Sequence, residues 1–155
     1  MSSTHDTPGV WLGVDVGTVR VGVARSDPRG VLAVPVTTLA RDAKSGRDLS
    51  ELAALVAEYE AAGVVVGLPR TLAGREGTSA DMARAYGAQL TRRIAPCPVR
   101  YVDERLTTVS AQRKLHANGV RGRAGRSVID QAAAVELLQH WLDTAEPRQE
   151  GRPGG

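Results

Sequence analysis

Aromatic residues are scarce in this sequence: it contains no phenylalanine, and only 3% of its 155 residues are aromatic. Hydrophobic residues nevertheless make up 42% of the chain, which is enough to bury a core. That core must be built mainly from Val, Leu and Ala, the small side chains that often fill α/β folds. A chain of this length has room for one ordinary domain, so we expect a single α/β domain.

Cysteine is also nearly absent. The one cysteine, Cys97, excludes an internal disulfide and a cysteine-based zinc site. We interpret it as a buried or idle thiol, because a disulfide between two copies is disfavoured in a reducing cytosol. The sequence does not decide between a monomer and a homodimer.

No stretch approaches the roughly 18 apolar residues of a membrane-spanning helix, and residues 1–9 are polar, without an apolar signal region. We therefore expect a cytoplasmic protein with no membrane partner. Three motifs are missing as well, namely the G-x-x-x-x-G-K-[ST] phosphate loop, the G-x-S-x-G nucleophile turn and H-E-x-x-H. The net charge is only +3, but a pI near 9.5 favours a polyanionic partner.

The order of hydrophobic patterns predicts three strands followed by alternating helices and strands. Polar composition predicts unstructured tails at residues 1–9 and 146–155, which leaves a domain at 10–145. The predicted elements are strands at 10–16, 20–26, 31–39, 64–66 and 99–103, and helices starting at the capping-box-like Asp48-Leu-Ser-Glu51, at Thr78, after Thr107 and at Ser127. This order predicts a mixed, five-stranded sheet flanked by helices.

Asp15 is an acidic residue inside the first predicted strand, where burying a carboxylate without compensation is costly. Strand alternation places it on one face with Gly13 and Gly17, which leaves room for an ion or a phosphate. The sequence Asp15-Val-Gly-Thr18 also suits a turn that the carboxylate caps. Taken alone, the position does not separate these two interpretations.

Asp103 and Glu104 end the last predicted strand. Neighbouring side chains in a strand point to opposite faces, so without a bend only one of the two can meet Asp15. The alternative is that both acids belong to a solvated turn before a helix capped by Thr107 or Thr108.

Asp130 is the third candidate acid. It occupies the fourth position of Ser127-Val-Ile-Asp130, where it could be an ordinary capping-box residue. It also precedes an apolar stripe at helical spacing, which places it on the inward face of the helix. The stripe consists of Ala133, Ala134, Leu137, Leu138 and Trp141.

Three carboxylates on rigid elements suit a particular chemistry. Mg²⁺ prefers hard oxygen ligands, and paired Mg²⁺ ions supply both a nucleophilic water and charge neutralisation in phosphodiester hydrolysis. A basic run at residues 113–126 leads directly to Asp130 and could hold a phosphate backbone, although a solvated charged face is the usual explanation of such a run. Its basic residues are Arg113, Lys114, Arg121, Arg123 and Arg126.

The loop Gly67-Leu-Pro-Arg70 has two interpretations of about equal weight. Arg70 could contact a phosphate, or the loop could be a plain connection between a strand and a helix.

Three sequence blocks resemble the YqgF/RuvX family, whose members are named as pre-16S rRNA nucleases and are related to Holliday junction resolvases. The blocks are Gly13-Val-Asp15-Val-Gly17-Thr18-Val-Arg20-Val-Gly22-Val-Ala24, Gly67-Leu-Pro69 with Gly74, and Asp103-Glu104-Arg105-Leu-Thr-Thr108 with Asp130-x-x-Ala133-Ala134. Each block alone is weak, but their order and their coverage from about Leu12 to Leu142 make the combination specific.

This resemblance implies an RNase H-like fold, dependence on Mg²⁺ (or Mn²⁺), and a catalytic, metal-binding triad of Asp15, Glu104 and Asp130. It selects Glu104 over Asp103, which strand geometry could not do. With Arg20, Arg105 and the basic residues above as nucleic-acid contacts, we expect a nuclease that acts on structured RNA, or on branched DNA. Val19 and Tyr86 depart from the basic residue and the phenylalanine common at these places in the family.

Two other functions compete. A non-catalytic RNA-binding factor in ribosome assembly would use the same basic surface with structural acids. An actin-like or sugar-kinase-like ATPase also opens with Asp-x-Gly-Thr and a hairpin, but such proteins enclose nucleotide between two domains and this chain has room for one.

Overall fold

The computed structural model describes residues 9–69, 77–103 and 123–150 of the chain. In chain order its elements are β1 (Trp11–Val16), β2 (Arg20–Ser26), β3 (Ala33–Ala40), α1 (Arg47–Glu58), β4 (Gly63–Leu68), α2 (Thr78–Ile94), β5 (Val99–Asp103) and α3 (Arg123–Glu150).

The strands form one five-stranded sheet in the order β3-β2-β1-β4-β5. The first three strands pair antiparallel, whereas β4 runs parallel to β1 and β5 runs parallel to β4. The predicted mixed sheet is therefore confirmed. Because β1, β4 and β5 are parallel, their carboxyl ends lie along one edge of the sheet, which is where α/β proteins usually bind ligands.

One face of the sheet is a Val- and Leu-rich surface covered by α1 and α2. Strand alternation directs every second residue to this side, and the two helices contribute Leu49, Leu52 and Leu90. The buried strand residues are Leu12, Val14, Val16, Val21, Val23, Val64, Val66 and Leu68. We call this surface the valine face.

The opposite face is covered by α3, and we call it the α3 face. Trp11 of β1 and Trp141 of α3 pack together there, with ring centroids 4.4 Å apart. Leu137 and Leu138 of the helix are fully buried. A Cβ on Gly13 would lie 2.7 Å from Leu138 Cβ, so the glycine allows the helix to pack closely against β1.

Most predicted elements are confirmed, but the starts of two helices differ from those predicted from the local sequence pattern. The capping-box interpretation of Asp48 is wrong. The N-cap residue of α1 is Gly46, with a φ of 70°, and no side chain caps the helix. Asp48 lies inside the first turn of the helix. The last helix begins at Arg123 rather than Ser127 and continues to Glu150, into the segment predicted to be a tail. The helix predicted after Thr107 lies outside the described residues.

Cys97 is half-buried, and its thiol donates a hydrogen bond to the carbonyl oxygen of Ala61 at 3.5 Å. Burial raises the pKa of this thiol, which lowers the thiolate fraction and hence the reactivity. The geometry agrees with the interpretation of an idle thiol. Within the described ranges, no helix has both the length and the apolar character required to cross a bilayer.

Candidate active site

Asp15 lies within β1, near the carboxyl end of the strand, directly opposite Gly22 of β2. Only 1% of the residue is exposed. The following turn is closed by the Gly17 N–H, which donates to the Arg20 carbonyl oxygen at 2.8 Å. Asp15 thus belongs to the strand ladder and precedes the turn, and strand alternation places it on the α3 face with Gly13.

Asp130 is brought to the same place by helix packing. A Cβ on Gly22 would overlap the carbonyl group of Asp130 and lie 3.1 Å from the Asp130 Cβ. Directly opposed residues of an antiparallel pair share a face, with Cβ positions roughly 4.5–5.5 Å apart. Asp130 therefore lies over the immediate cross-strand neighbour of Asp15, and the structure brings these two predicted site residues together.

Gly22 belongs to the first sequence block, but its role in the site was not predicted from the sequence. A glycine inside a strand weakens that strand and often marks a close approach of another backbone. Here the approaching backbone is that of α3 at Asp130. The glycine in the strand was a signal of this close approach, but the sequence did not indicate which segment approaches it.

The capping-box interpretation of Asp130 is excluded, because α3 begins at Arg123, about two helical turns earlier. The predicted apolar stripe is confirmed, since all five of its residues are buried. Next to Asp130, the side-chain Nε2 of Gln131 donates a hydrogen bond to Thr38 Oγ1 at 3.1 Å, which links α3 to β3.

Arg20 contacts Asp130 directly. Its Nε donates to Asp130 Oδ2 at 2.8 Å, and the two side chains are 24% and 18% exposed. An ion pair with this much exposure contributes little stability. Its importance is geometric, because it orients the Asp130 carboxylate while using one of the five N–H donors that a guanidinium carries.

Asp103 ends β5 in register with Leu68 of β4. Val102 packs in the core of the α3 face, whereas Tyr101 packs in that of the valine face. By strand alternation Asp103 belongs with Tyr101, on the side of the sheet away from Asp15.

Six predicted site residues lie outside the described residues, namely Glu104, Arg70, Arg105, Arg113, Lys114 and Arg121. Arg123 and Arg126 fall in the first turns of α3, so this end of the basic run is helical. Among the residues whose side chains are described, no group of three His, Cys, Asp or Glu residues is arranged to hold a metal ion.

A second buried polar cluster, missed by the sequence analysis, lies where β3 meets α1 and α2. Asp48 is 1% exposed and accepts a hydrogen bond from the Tyr86 hydroxyl at 2.9 Å. The Arg41 Nε is 3.5 Å from the same carboxylate. Burial and the Asp48 hydrogen bond raise the pKa of Tyr86 far above its usual range, so this hydroxyl remains a donor. We call Arg41, Asp48 and Tyr86 the buried cluster.

Comparison with solved structures identifies the fold class as RNase H-like. Two structures of Thermus thermophilus RuvC match it, one of them in complex with a Holliday junction substrate. The complex gives a TM-score of 0.54 at 13% identity, over 90% of this chain and 96% of that one. The other RuvC structure gives a TM-score of 0.53 at the same identity. At this identity the likeness concerns the fold alone.

Sequence comparison identifies the family. The model described as "RuvX: Holliday junction resolvase" matches residues 9–144. A Mycolicibacterium smegmatis protein is 58% identical over 96% of this chain and 92% of its own length, and a Mycolicibacterium paratuberculosis protein is 65% identical over 87% and 80%. A protein of Frankia casuarinae is 59% identical over 87% of this chain and 67% of its own length. All three carry the name "Putative pre-16S rRNA nuclease". The chain belongs to the RuvX family.

Proposed function

We propose that this protein is a metal-dependent nuclease that hydrolyses phosphodiester bonds in structured RNA, in the maturation of the 5′ end of pre-16S rRNA in the cytoplasm. The observation that carries the proposal is the packing of Asp130 on Gly22, beside the buried Asp15. Membership of the RuvX family and the names of its relatives support the reaction class and the choice of substrate.

The residues present fit a divalent cation. Asp15 and Asp130 offer the hard oxygen ligands that Mg²⁺ and Mn²⁺ take. Gly13 and Gly22 allow α3 to pack closely on β1 and β2, which brings Asp130 beside Asp15. Glu104 is the third ligand in this proposal, and the location of Asp103 on the other side of the sheet supports that choice. When bound, the metal would activate water and neutralise developing negative charge.

The acidic and basic side chains have different roles in this proposal. Asp15 is held rigidly by the strand ladder, and Asp130 by the contact of its backbone with Gly22. Arg20 orients the Asp130 carboxylate, and its position beside that acid suits an additional contact with a substrate phosphate. The basic residues that precede α3 in the chain, with Arg70 and Arg105, would hold the nucleic-acid backbone.

The test is cleavage by the purified chain of an RNA that carries the 5′ leader of pre-16S rRNA, with and without Mg²⁺. We expect metal-dependent cutting that Asp15→Asn and Asp130→Asn each reduce by at least about 100-fold, since each removes a charged ligand. Asp143→Asn is the matched control, because Asp143 is an exposed acid on the same helix as Asp130. Unchanged cutting by Asp15→Asn would overturn the proposed site.

Branched DNA is the second candidate substrate, favoured by the description of the family model. A four-way DNA junction, assayed beside the RNA at equal concentration and salt, decides between the two. Tight RNA binding without cleavage of either substrate, and without Mn²⁺ binding that depends on Asp15 and Asp130, would instead indicate a non-catalytic RNA-binding assembly factor.

A further inference from the structure

The turn between β1 and β2 connects Asp15 to Arg20, and it is held from outside the hairpin by one residue. Arg41, which directly follows β3, donates from Nη1 to the Gly17 carbonyl oxygen at 2.9 Å. Its backbone N–H donates to the Val19 carbonyl oxygen at 2.8 Å. Side chain and backbone of Arg41 thus hold both ends of the short segment between β1 and β2.

Arg41 is itself held by the other two members of the buried cluster, Asp48 and Tyr86. Its side chain is 18% exposed and lies against Asp48, whose side chain is 2% exposed. The guanidinium carbon is 5.1 Å from the centroid of the Tyr86 ring, a cation–π distance. Asp48 also accepts the Asp42 backbone N–H at 3.1 Å. The guanidinium is therefore placed by residues of α1 and α2, the helices that cover the valine face.

We propose that Arg41 is a positioning residue for the active site, which transmits the rigidity of α1 and α2 to the turn that links Asp15 of β1 to Arg20 of β2. This inference rests on the proposed function. It requires no contact between Arg41 and the substrate, because Arg41 acts through the Gly17 and Val19 carbonyl groups. Catalytic groups must be held within roughly 0.5 Å of their working geometry by neighbours that are themselves locked, and the buried cluster is such a neighbour.

The first test is Arg41→Lys, which keeps a positive charge near Asp48 but has no second nitrogen with which to reach Gly17. We expect kcat on the RNA substrate to fall about tenfold or more, as for other groups that orient metal ligands, with KM changed less than about twofold. Mn²⁺ affinity, measured by calorimetry without substrate, should weaken by a similar factor. Arg47→Lys is the control, because Arg47 forms an exposed ion pair with Glu51 on α1.

Amide hydrogen exchange separates positioning from general stability. In Arg41→Lys the Gly17 amide, which closes the turn, should exchange at least about tenfold faster, while amides in the middle of β1 and β4 keep their wild-type rates. An unchanged Gly17 exchange rate together with unchanged Mn²⁺ affinity would overturn the inference. Uniformly faster exchange over the whole sheet would overturn it too, because it would show a merely structural role.

Should Arg41→Lys fail to fold, Tyr86→Phe provides the same test. It keeps the ring against the guanidinium and removes only the hydrogen bond to Asp48, so the same changes are expected at smaller amplitude, and their absence would overturn the inference. The exchange and Mn²⁺ readouts do not depend on substrate. If the wild-type protein cut neither RNA nor DNA, the proposed function would be refuted. The exchange and Mn²⁺ measurements would still decide whether Arg41 positions the turn.

Discussion

Among the described residues, two acids on opposite sides of the sheet are each 1% exposed, namely Asp15 on the α3 face and Asp48 of α1 beside the valine face. Asp48 sits among partners that match its charge and hydrogen-bonding capacity, namely Arg41, the Tyr86 hydroxyl and the Asp42 N–H. Asp15 sits opposite a glycine, next to a second acid supplied by a distant helix. The two acids are equally buried but differ in their surroundings.

Burial alone therefore does not separate a structural acid from one that, in the proposed function, belongs to the active site. A buried charge surrounded by complementary groups fixes the arrangement of the elements that supply those groups. Two acids placed side by side at the carboxyl edge of parallel strands offer oxygen ligands to a cation. In the proposed function the site therefore lies on the α3 face, whereas Asp48 on the opposite side of the sheet has a structural role.

The largest effect on stability is expected for Leu52→Ala on the valine face. Leu52 is fully buried between α1 and the sheet, and the cavity should lower the free energy of unfolding by about 2–5 kcal/mol. Urea denaturation measures this change. Where the variant remains folded, kcat should stay near the wild-type value. A large loss of kcat in the folded variant would show that the hydrophobic core of the valine face, and not Arg41 alone, governs the geometry of the site.

Gly22→Ala should have the next largest effect, and it should affect both properties. The added Cβ meets the backbone of Asp130, so α3 must shift, and overpacking of this kind costs about 1–3 kcal/mol. Because the shift moves Asp130 away from Asp15, cleavage should be lost even in fully folded protein. Denaturation and single-turnover cleavage measure the two effects, and wild-type values in both would disprove the contact.

Tyr86 should make stability depend on pH in the alkaline range. Its pKa is raised in the folded protein by burial and by Asp48, so the folded state holds its proton while the unfolded chain loses it near pH 10. The protonated Tyr86 hydroxyl therefore makes its full contribution to the free energy of unfolding below about pH 10, and this contribution is lost as the pH rises further. Denaturant unfolding at several alkaline pH values should show this decline, and Tyr86→Phe should reduce it.

Asp130→Asn should have the smallest effect on stability and a large one on activity. The Arg20–Asp130 pair is partly exposed, so its loss should change the free energy of unfolding by at most about 1 kcal/mol. Cleavage should nevertheless fall by at least about 100-fold. A variant that is strongly destabilised but still active would place Asp130 with Asp48 among the structural acids.

Much of the fold was predictable because its signals are local. Alternation and helical spacing correctly located β1, β2, β5 and α2, and the apolar stripe correctly placed Asp130 on the inward face of its helix. Local pattern failed at Asp48, where a capping-box spacing conceals a buried ion pair, and at the start of α3. In both places the outcome depends on residues far away in the chain, which periodicity does not report.

The sequence by itself determined the order of the elements, the mixed sheet and the facing of Asp15 and Asp130, because these follow from the two- and 3.6-residue periods of strands and helices. Only the tertiary structure decided that Asp130 rests on Gly22 beside Asp15, and that Arg41 holds the turn after Asp15. The physical reason is that both arrangements are contacts between distant segments, which form only when close packing selects one position for α3 and one for the helices on the opposite face.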